Sequence, residues 1–152
     1  MTSIIKHIKL HASRLFTSIV HISEMVLKGI PSILSPDLLH ALASMGHGDK
    51  IVIADANFPS ASICNGEESP RLVRADGHSI PHLLEAILKL MPLDTYVFSP
   101  VWLMDLVNRD KNSGMGEPPV WSAYQQIINQ AENREISVNK IERWVIKYMS
   151  RK

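Results

Sequence analysis

Residues 35–55 read SPDLLHALASMGHGDKIVIAD, and their pattern predicts a helix, a tight turn and a strand. Ser35 suits the N-cap of a helix, because its hydroxyl can accept a hydrogen bond from a free N–H of the first turn. One apolar helix face is predicted by the residues at i, i+1, i+4 and i+7, which are Leu38, Leu39, Leu42 and Met45. Gly46 accepts a left-handed backbone conformation, so we expect the helix to end there. Residues 50–54 then predict a short buried strand.

Strands and helices alternate along the rest of the chain as well. Alternating or apolar runs predict further strands at residues 71–75 and 94–98, and apolar residues at helical spacing predict helices at 79–91 and 121–131. Residues 136–146 are apolar enough for a strand or a helix, and periodicity does not separate the two. The alternation predicts an α/β fold, a single compact domain with helices packed on a central sheet.

Length and composition are those of one globular domain. A chain of 152 residues, 45% of them apolar, can bury a single core but not two sizeable ones. Cys64 is the only cysteine, which excludes an internal disulfide framework and predicts a reducing, cytoplasmic location. No apolar run approaches the roughly 20 residues that cross a bilayer, so we expect no membrane partner.

Charge is unevenly distributed, although the net charge is only +1. Residues 24–131 hold 12 acidic and 7 basic side chains, and such a surface repels phosphate backbones, so we expect no nucleic-acid partner. Residues 1–23 carry three basic side chains and no acidic one. This composition fits a disordered or loosely helical extension, which we prefer, or a mitochondrial targeting segment. The predicted organisation is an extension at 1–24 and a domain at 25–152.

His47 lies between Gly46 and Gly48, the most unusual local pattern in the chain. Flanking glycines leave an imidazole without steric cover, so it can be presented to a substrate in an open turn. The preceding helix end carries a negative partial charge that favours the imidazolium, and histidine exchanges protons near neutral pH. These properties suit a general acid or base. The alternative is structural: the glycines end the helix and form the turn, while His47 caps a carbonyl group.

Two aspartates next to predicted strands are candidates for the same site. Asp55 ends the first predicted strand, and the helix–turn–strand order is expected to bring its carboxylate to the sheet edge near His47. Strand termination by a turn-forming residue is the alternative for Asp55. Asp94 lies at a strand start and could equally be a solvated loop acid. Arg74 and Asp76 can pair across a turn, and a structural salt bridge is the preferred explanation for them.

Histidines at four-residue spacing raise the question of a metal site, because such a pair can share a metal on a helix. The two pairs are His7/His11 and His78/His82. The first pair lies in the extension, and the second straddles a helix entrance without an acid placed as general base. We therefore expect no metal. We expect Cys64 to be a small buried or loop residue rather than a nucleophile.

Six short motifs together carry a resemblance to a known family. They are Leu34-Ser35-Pro36, Met45-Gly46-His47-Gly48-Asp49, Ala54-Asp55-Ala56-Asn57-Phe58-Pro59, Arg74-Ala75-Asp76-Gly77, Leu83-Leu84-Glu85-Ala86 and Pro92-Leu93-Asp94-Thr95-Tyr96. This set resembles the fucose mutarotase / D-ribose pyranase family, from about Met25 to Arg143. Each motif is weak alone, whereas the combination is highly specific.

The resemblance implies a fold, an activity and a set of site residues. Members are compact α/β domains that assemble as homo-oligomers, with sugar sites near subunit contacts. They interconvert the anomers or ring forms of free sugars without a metal or an organic cofactor. For this chain the resemblance implies an isomerase of the α and β anomers of L-fucose, with that monosaccharide as its small-molecule partner. The family's catalytic histidine falls on His47, its sugar-binding aspartates fall on Asp55 and Asp94, and an apolar sugar contact falls on Met104.

The sequence departs from the family's pattern at both ends. Residues 1–24 are not family-like, and after Arg143 the members' further strand, helix and Tyr-Gly-Asn strand are replaced by residues 144–152. Tyr148 does not occupy that motif and receives no role. A sheet without its last strand exposes an unpaired edge. The alternative function is therefore a catalytically impaired variant that binds sugar or assembles with full-length partners.

Overall fold

A computed structural model describes residues 27–67 and 69–142. The expectations for residues 1–24, for His7 and His11, and for the chain beyond residue 142 lie outside the described residues. The elements in the described part are α1 (Pro36–Ser44), α2 (Ser60–Ile63), α3 (Ile80–Leu88), β1 (Val101–Met104), α4 (Asn108–Asn112), α5 (Pro119–Glu132) and β2 (Val138–Ile141).

Helix α1 begins and ends where the sequence predicts, and only the backbone conformation at its C-terminal end differs. The Ser35 hydroxyl accepts a hydrogen bond from the Leu38 N–H at 3.2 Å, which satisfies one free donor of the first turn. The predicted left-handed conformation of Gly46 at the helix end is wrong. The chain leaves the helix through Met45 in an extended conformation (φ −73°, ψ 134°), so no left-handed residue is needed there. The left-handed glycine of this loop is Gly48, with φ +87°.

Helices α3 and α5 confirm the helices predicted at 79–91 and 121–131, although their bounds differ. A proline lies at the first or second position of each helix, where its missing N–H leaves no helical hydrogen bond unmade. The residue that follows and caps helix α5, Asn133, has a left-handed conformation with φ 52°. Asparagine tolerates this conformation better than most residues, which explains why a helix without a following glycine stops there.

The sheet of the described chain has two parallel strands. β1 pairs with β2, starting from Val101 opposite Val138. The Asp105 N–H extends the ladder by donating to the Ile141 carbonyl oxygen at 2.8 Å. Parallel strands need a long connection, and here α4 and α5 lie in it. For residues 136–146, the choice left open between strand and helix is decided in favour of a strand over the described part.

The strands predicted at 50–54 and 71–75 are wrong. The two segments nevertheless show the predicted alternation of buried and exposed side chains. Every second side chain packs against the core, namely Ile51, Ile53, Val73 and Ala75. The intervening Val52 and Leu72 are exposed. Alternating apolar side chains are enough to give an extended segment one buried face. A strand also needs a neighbouring segment whose backbone N–H and C=O groups can pair with its own. Neither segment has such a neighbour in the part of the chain that the structure describes.

The strand predicted at 94–98 is also wrong. The Asp94 carboxylate accepts the backbone N–H of Tyr96 at 2.8 Å, and local bonds of this kind turn the chain and compete with a strand. Tyr96 and Val97, whose side chains suit the pleated surface of a strand, are exposed. The chain enters a strand only at Val101, and β1 is not among the predicted strands.

The main core lies between α1 and α3. It is formed by aliphatic side chains from these helices and from the turn before α1: Leu34, Leu38, Leu83, Ala86 and Ile87. Helix α3 also packs on α5, in which Ile128 is completely buried. The α/β fold class is confirmed as one compact domain with helices and a small parallel sheet. No helix in the described part of the chain is long and apolar enough to cross a bilayer.

Candidate active site

His47 stands in an exposed turn after α1, and 72% of its side chain is accessible to solvent. The Asp49 carboxylate closes the turn by accepting the Gly46 N–H at 2.7 Å. Gly48 completes it with a φ of +87°, which strains any residue that has a Cβ. The imidazole is thus presented to solvent. Among the described residues it makes no hydrogen bond, so the alternative role of capping a carbonyl is not observed.

Asp94 lies beside His47, with 3.8 Å between the imidazole Nδ1 and the carboxylate Oδ2. This is an ion-pair distance when the imidazole is protonated, but it is too long for a hydrogen bond. Only 26% of the Asp94 side chain is exposed, and its Oδ1 is occupied by the Tyr96 N–H. The carboxylate is therefore the better-fixed partner, and its negative charge attracts the imidazolium.

The Tyr96 ring meets the His47 ring edge to face. The ring centroids are 5.4 Å apart and the planes are inclined at 88°, a geometry that aromatic pairs prefer. Tyr96 is 87% exposed, so the contact is not a by-product of core packing. Sequence reasoning missed Tyr96 as a site residue. The available indication was an aromatic residue two positions after a candidate carboxylate.

The segment that carries Asp94 and Tyr96 is attached to α5. Glu132, the last residue of α5, accepts the Leu93 N–H at 2.9 Å through Oε1. This bond joins parts of the chain that are distant in sequence, and no local pattern predicts it. It holds the backbone immediately before Asp94, and so it helps to fix the carboxylate next to the imidazole.

Asp55 lies near Tyr124 of α5. Its Oδ1 accepts the Asn57 N–H at 2.8 Å and its carbonyl oxygen accepts the Phe58 N–H at 3.1 Å, so Asp55 starts a turn. Burial first, and then the negative charge of Asp55, raise the pKa of Tyr124, which places the carboxylate within electrostatic reach of the phenol. In the described part of the chain Asp55 forms no ion pair with His47. Sequence reasoning did not find Tyr124, because helix and turn meet only in the fold.

Met104 is the last residue of β1, and its side chain is exposed. Trp102, two residues earlier on the same face of the strand, is exposed as well. The Nζ atom of Lys50 lies 5.9 Å from the centroid of the Trp102 ring. Because Lys50 follows His47 by only three residues, this contact joins the histidine turn to the strand face on which Met104 lies.

The sequence also singles out Arg74 with Asp76, Cys64, and the pair His78 and His82. Arg74 Nε donates to Asp76 Oδ2 at 2.8 Å, which confirms the preferred salt bridge, and this hydrogen bond raises the pKa of Arg74. Cys64 is half-buried. His78 and His82 are exposed around the start of α3. Over residues 27–67 and 69–142, no group of three or more His, Cys, Asp or Glu side chains is arranged to hold a metal ion.

Comparison with known proteins points to one family. The chain matches the model of the RbsD / FucU transport protein family over residues 28–152. Since this match covers most of the sequence, the chain belongs to the RbsD / FucU family.

The chain is similar to relatives of known name. The chain is 60% identical over 107 residues to a fucose mutarotase of Bos taurus, an alignment that covers 70% of this chain and 68% of the relative. It is 53% identical over 120 residues to a fucose mutarotase of Mus musculus, covering 79% and 76%.

Solved structures share the fold. The crystal structure of the fucose mutarotase in complex with L-fucose from Streptococcus pneumoniae is similar with a TM-score of 0.71, at 43% sequence identity and over 82% of each chain. FucU from Bifidobacterium longum is similar with a TM-score of 0.72, at 40% identity and again over 82% of each chain.

Proposed function

We propose that this chain is an isomerase that interconverts the α and β anomers of L-fucose. The mammalian relatives are named fucose mutarotases, and the similar structure from Streptococcus pneumoniae is a complex with L-fucose. The observation in this chain that carries the proposal is the exposed imidazole of His47, 3.8 Å from the half-buried carboxylate of Asp94. An exposed imidazole beside a carboxylate suits this reaction, which consists of proton transfers and of breaking and re-forming one ring bond.

His47 is the proposed general acid and base of the reaction. Ring opening breaks the C1–O5 bond: O5 takes the bonding electrons and a proton from the imidazolium, while the C1 hydroxyl loses its proton to water and becomes the aldehyde oxygen. Rotation about C1–C2 turns the other face of the carbonyl to O5. The same proton transfers then run in reverse as O5 attacks C1. Each positioned transfer contributes about 10²–10⁴-fold to the rate.

Asp94, Asp55 and Met104 are the proposed sugar-binding residues. Carboxylates accept hydrogen bonds from sugar hydroxyls, and Asp94 in addition attracts the protonated form of His47 that donates to the ring oxygen. Met104 offers an apolar contact from the exposed face of β1. All the steps are proton transfers or changes at C1, so the proposed mechanism uses neither a metal nor an organic cofactor.

Saturation-transfer NMR on L-fucose at anomeric equilibrium tests this function. The wild-type chain is expected to exchange magnetisation between the anomers faster than buffer does, and His47→Ala is expected to lower the protein-dependent rate by about 10²-fold or more. His78→Ala, which removes another exposed imidazole, is the matched control and should keep the wild-type rate. A folded wild-type chain without exchange above buffer would contradict the proposal and favour the alternative of an assembly subunit.

The proposal includes a homo-oligomer. Phe98 is 91% exposed, and a phenylalanine left in water forgoes about 1.5–3 kcal/mol of burial free energy, which a contact between subunits supplies. Light scattering after gel filtration is expected to give a multiple of the 17.1 kDa chain mass. Phe98→Asp is expected to reduce that mass. A wild type that stays monomeric at micromolar concentration would contradict this part of the proposal.

The proposal also includes a cytoplasmic location, which fits a chain with one cysteine. A fluorescent reporter fused to the C-terminus of the full chain is expected to be diffuse in the cell. The control deletes residues 1–24 and leaves the proposed domain at 25–152. Mitochondrial import of the full chain that is lost on this deletion would contradict the proposed location.

A further inference from the structure

We propose that Tyr96 is a positioning residue, which sets the orientation of the His47 imidazole for proton transfer. The inference rests on the proposed function, because it takes His47 as the group that exchanges protons with the sugar. The role assigned to Tyr96 belongs to its ring. Its hydroxyl carries no proton in the reaction.

The imidazole of His47 has two neighbours that hold it in the described part of the chain. One is the Asp94 carboxylate, at 3.8 Å, and the other is the Tyr96 ring, with 5.4 Å between centroids. Coulomb attraction at this distance draws the imidazole toward Asp94 but does not select the plane of its ring. The contact at 88° does select a plane, because the positive edge of one aromatic ring faces the negative face of the other. The orientation of the imidazole therefore depends on Tyr96.

Tyr96 and Asp94 act from one short segment. The Tyr96 N–H donates to Asp94 Oδ1 at 2.8 Å, which leaves Oδ2 as the oxygen that approaches His47. The Leu93 N–H donates to Glu132 at 2.9 Å and thereby ties the segment to α5. The segment that places the carboxylate thus also carries the aromatic ring, so both neighbours of the imidazole come from one anchored stretch of backbone.

Because Tyr96 is exposed, its contact with His47 can be tested without disturbing the core. The residue is 87% exposed, so its substitution removes little buried surface and is expected to leave the fold intact. Substitution then reports on the contact with His47. Tyr96→Phe preserves that contact, whereas Tyr96→Leu keeps an apolar side chain and abolishes the interaction between rings.

Kinetics of L-fucose exchange test the proposal. Tyr96→Phe is expected to keep the wild-type kcat and KM. Tyr96→Leu is expected to lower kcat about 2- to 10-fold, the range that corresponds to loss of one aromatic pair, with KM unchanged. Met115→Ala, which truncates an exposed apolar residue in the loop before α5, is the control and should match the wild type. An unchanged kcat in Tyr96→Leu would overturn the proposal, and so would a loss in Tyr96→Phe as large as that in Tyr96→Leu.

NMR of the imidazole provides a readout that does not depend on catalysis. We expect nuclear Overhauser effects between the ring protons of Tyr96 and His47, and a lower order parameter of the His47 Cδ2–Hδ2 bond in Tyr96→Leu but not in Tyr96→Phe. Equal imidazole order in all three proteins would overturn the proposal. The expected order parameters of the His47 ring together with no anomer exchange by the wild type would contradict the proposed function and still support the orienting contact. Failure of the proposed function and failure of this inference are therefore distinguishable.

Discussion

Of the two glycines around His47, only Gly48 is required by the backbone. Gly48 has a φ of +87°, and a Cβ there would meet no atom within 4 Å, so strain rather than lack of space disfavours other residues. Gly46 has no left-handed φ, and a Cβ there would lie in ordinary contact, 3.8 Å from Asp49 Oδ2. The exposure of the imidazole therefore depends on one conformationally special residue, not on a pair.

Alanine substitutions at these glycines test this difference. Gly48→Ala is expected to lower the free energy of unfolding by about 1–2 kcal/mol, the strain of one left-handed residue with a Cβ. Gly46→Ala is expected to change it much less. Urea unfolding followed by circular dichroism measures both. Equal losses would show that the backbone conformation is not what selects glycine at residue 48.

Tyr124 reports on the position of Asp55. Burial and the Asp55 charge favour the neutral phenol in the folded state and raise its pKa. The resulting stabilisation is present below the unfolded pKa of about 10 and is lost as the pH rises through the folded pKa. Asp55→Asn is expected to lower the pKa of Tyr124 without restoring its ordinary value, because burial remains. An NMR titration of the Tyr124 ring measures the change, with Asp76→Asn as control. A pKa of Tyr124 that is the same with and without the Asp55 charge would contradict their proximity.

Local features of the site could be predicted from the sequence, and contacts made by folding could not. The exposure of His47 and the pairing of Arg74 with Asp76 are set within a few residues. Asp94 is predicted as a site residue only by the family motif, because residue chemistry alone also allows a solvated loop acid. Tyr96 lies against the imidazole because two loops meet. Its position two residues after Asp94 makes it a candidate, but that spacing does not encode the meeting of the loops.

The longer helices could be predicted from the sequence, whereas the strands could not, because strands depend on contacts between distant parts of the chain. Helices α1, α3 and α5 were predictable, because a helix makes its backbone hydrogen bonds within itself. The segments at 50–54 and 71–75 show the predicted alternation of buried and exposed side chains. A strand also needs a partner segment for its backbone hydrogen bonds, and the alternation does not identify that partner. β1 is short, and its pairing with β2 depends on a connection that contains two helices.

The contribution of the α1 N-cap to stability can be tested by a single substitution. Ser35→Ala removes the side-chain acceptor of the Leu38 N–H and is expected to lower the free energy of unfolding by about 1 kcal/mol. Ser79 offers a matched control, since it occupies the N-cap of α3 without a side-chain hydrogen bond, and Ser79→Ala should change stability less. Thermal and urea unfolding of the two variants compare them. A larger effect at Ser79 would contradict the described caps.

For the whole molecule, the packing of the helices brings the parts of the site together. Helix α1 leads into the turn of His47, and α5 holds the segment of Asp94 through Glu132. Helix α5 also contributes Tyr124, whose pKa is raised by burial and by the charge of Asp55. Helix α3 packs against both α1 and α5. The relation between imidazole and carboxylate is thus a product of the tertiary fold, and the two residues are expected to act as a unit.

A double-mutant cycle on His47 and Asp94 tests whether the two residues act as a unit. The exchange rate of L-fucose anomers is measured at saturating sugar, so that lost binding does not enter, for wild type, His47→Ala, Asp94→Asn and the double variant, each with a circular-dichroism melt to verify folding. We predict strong non-additivity, in which the double variant is no slower than His47→Ala alone, because Asp94 promotes catalysis through the imidazole. Losses that multiply in the double variant would mean that the two residues act independently, and would contradict the account.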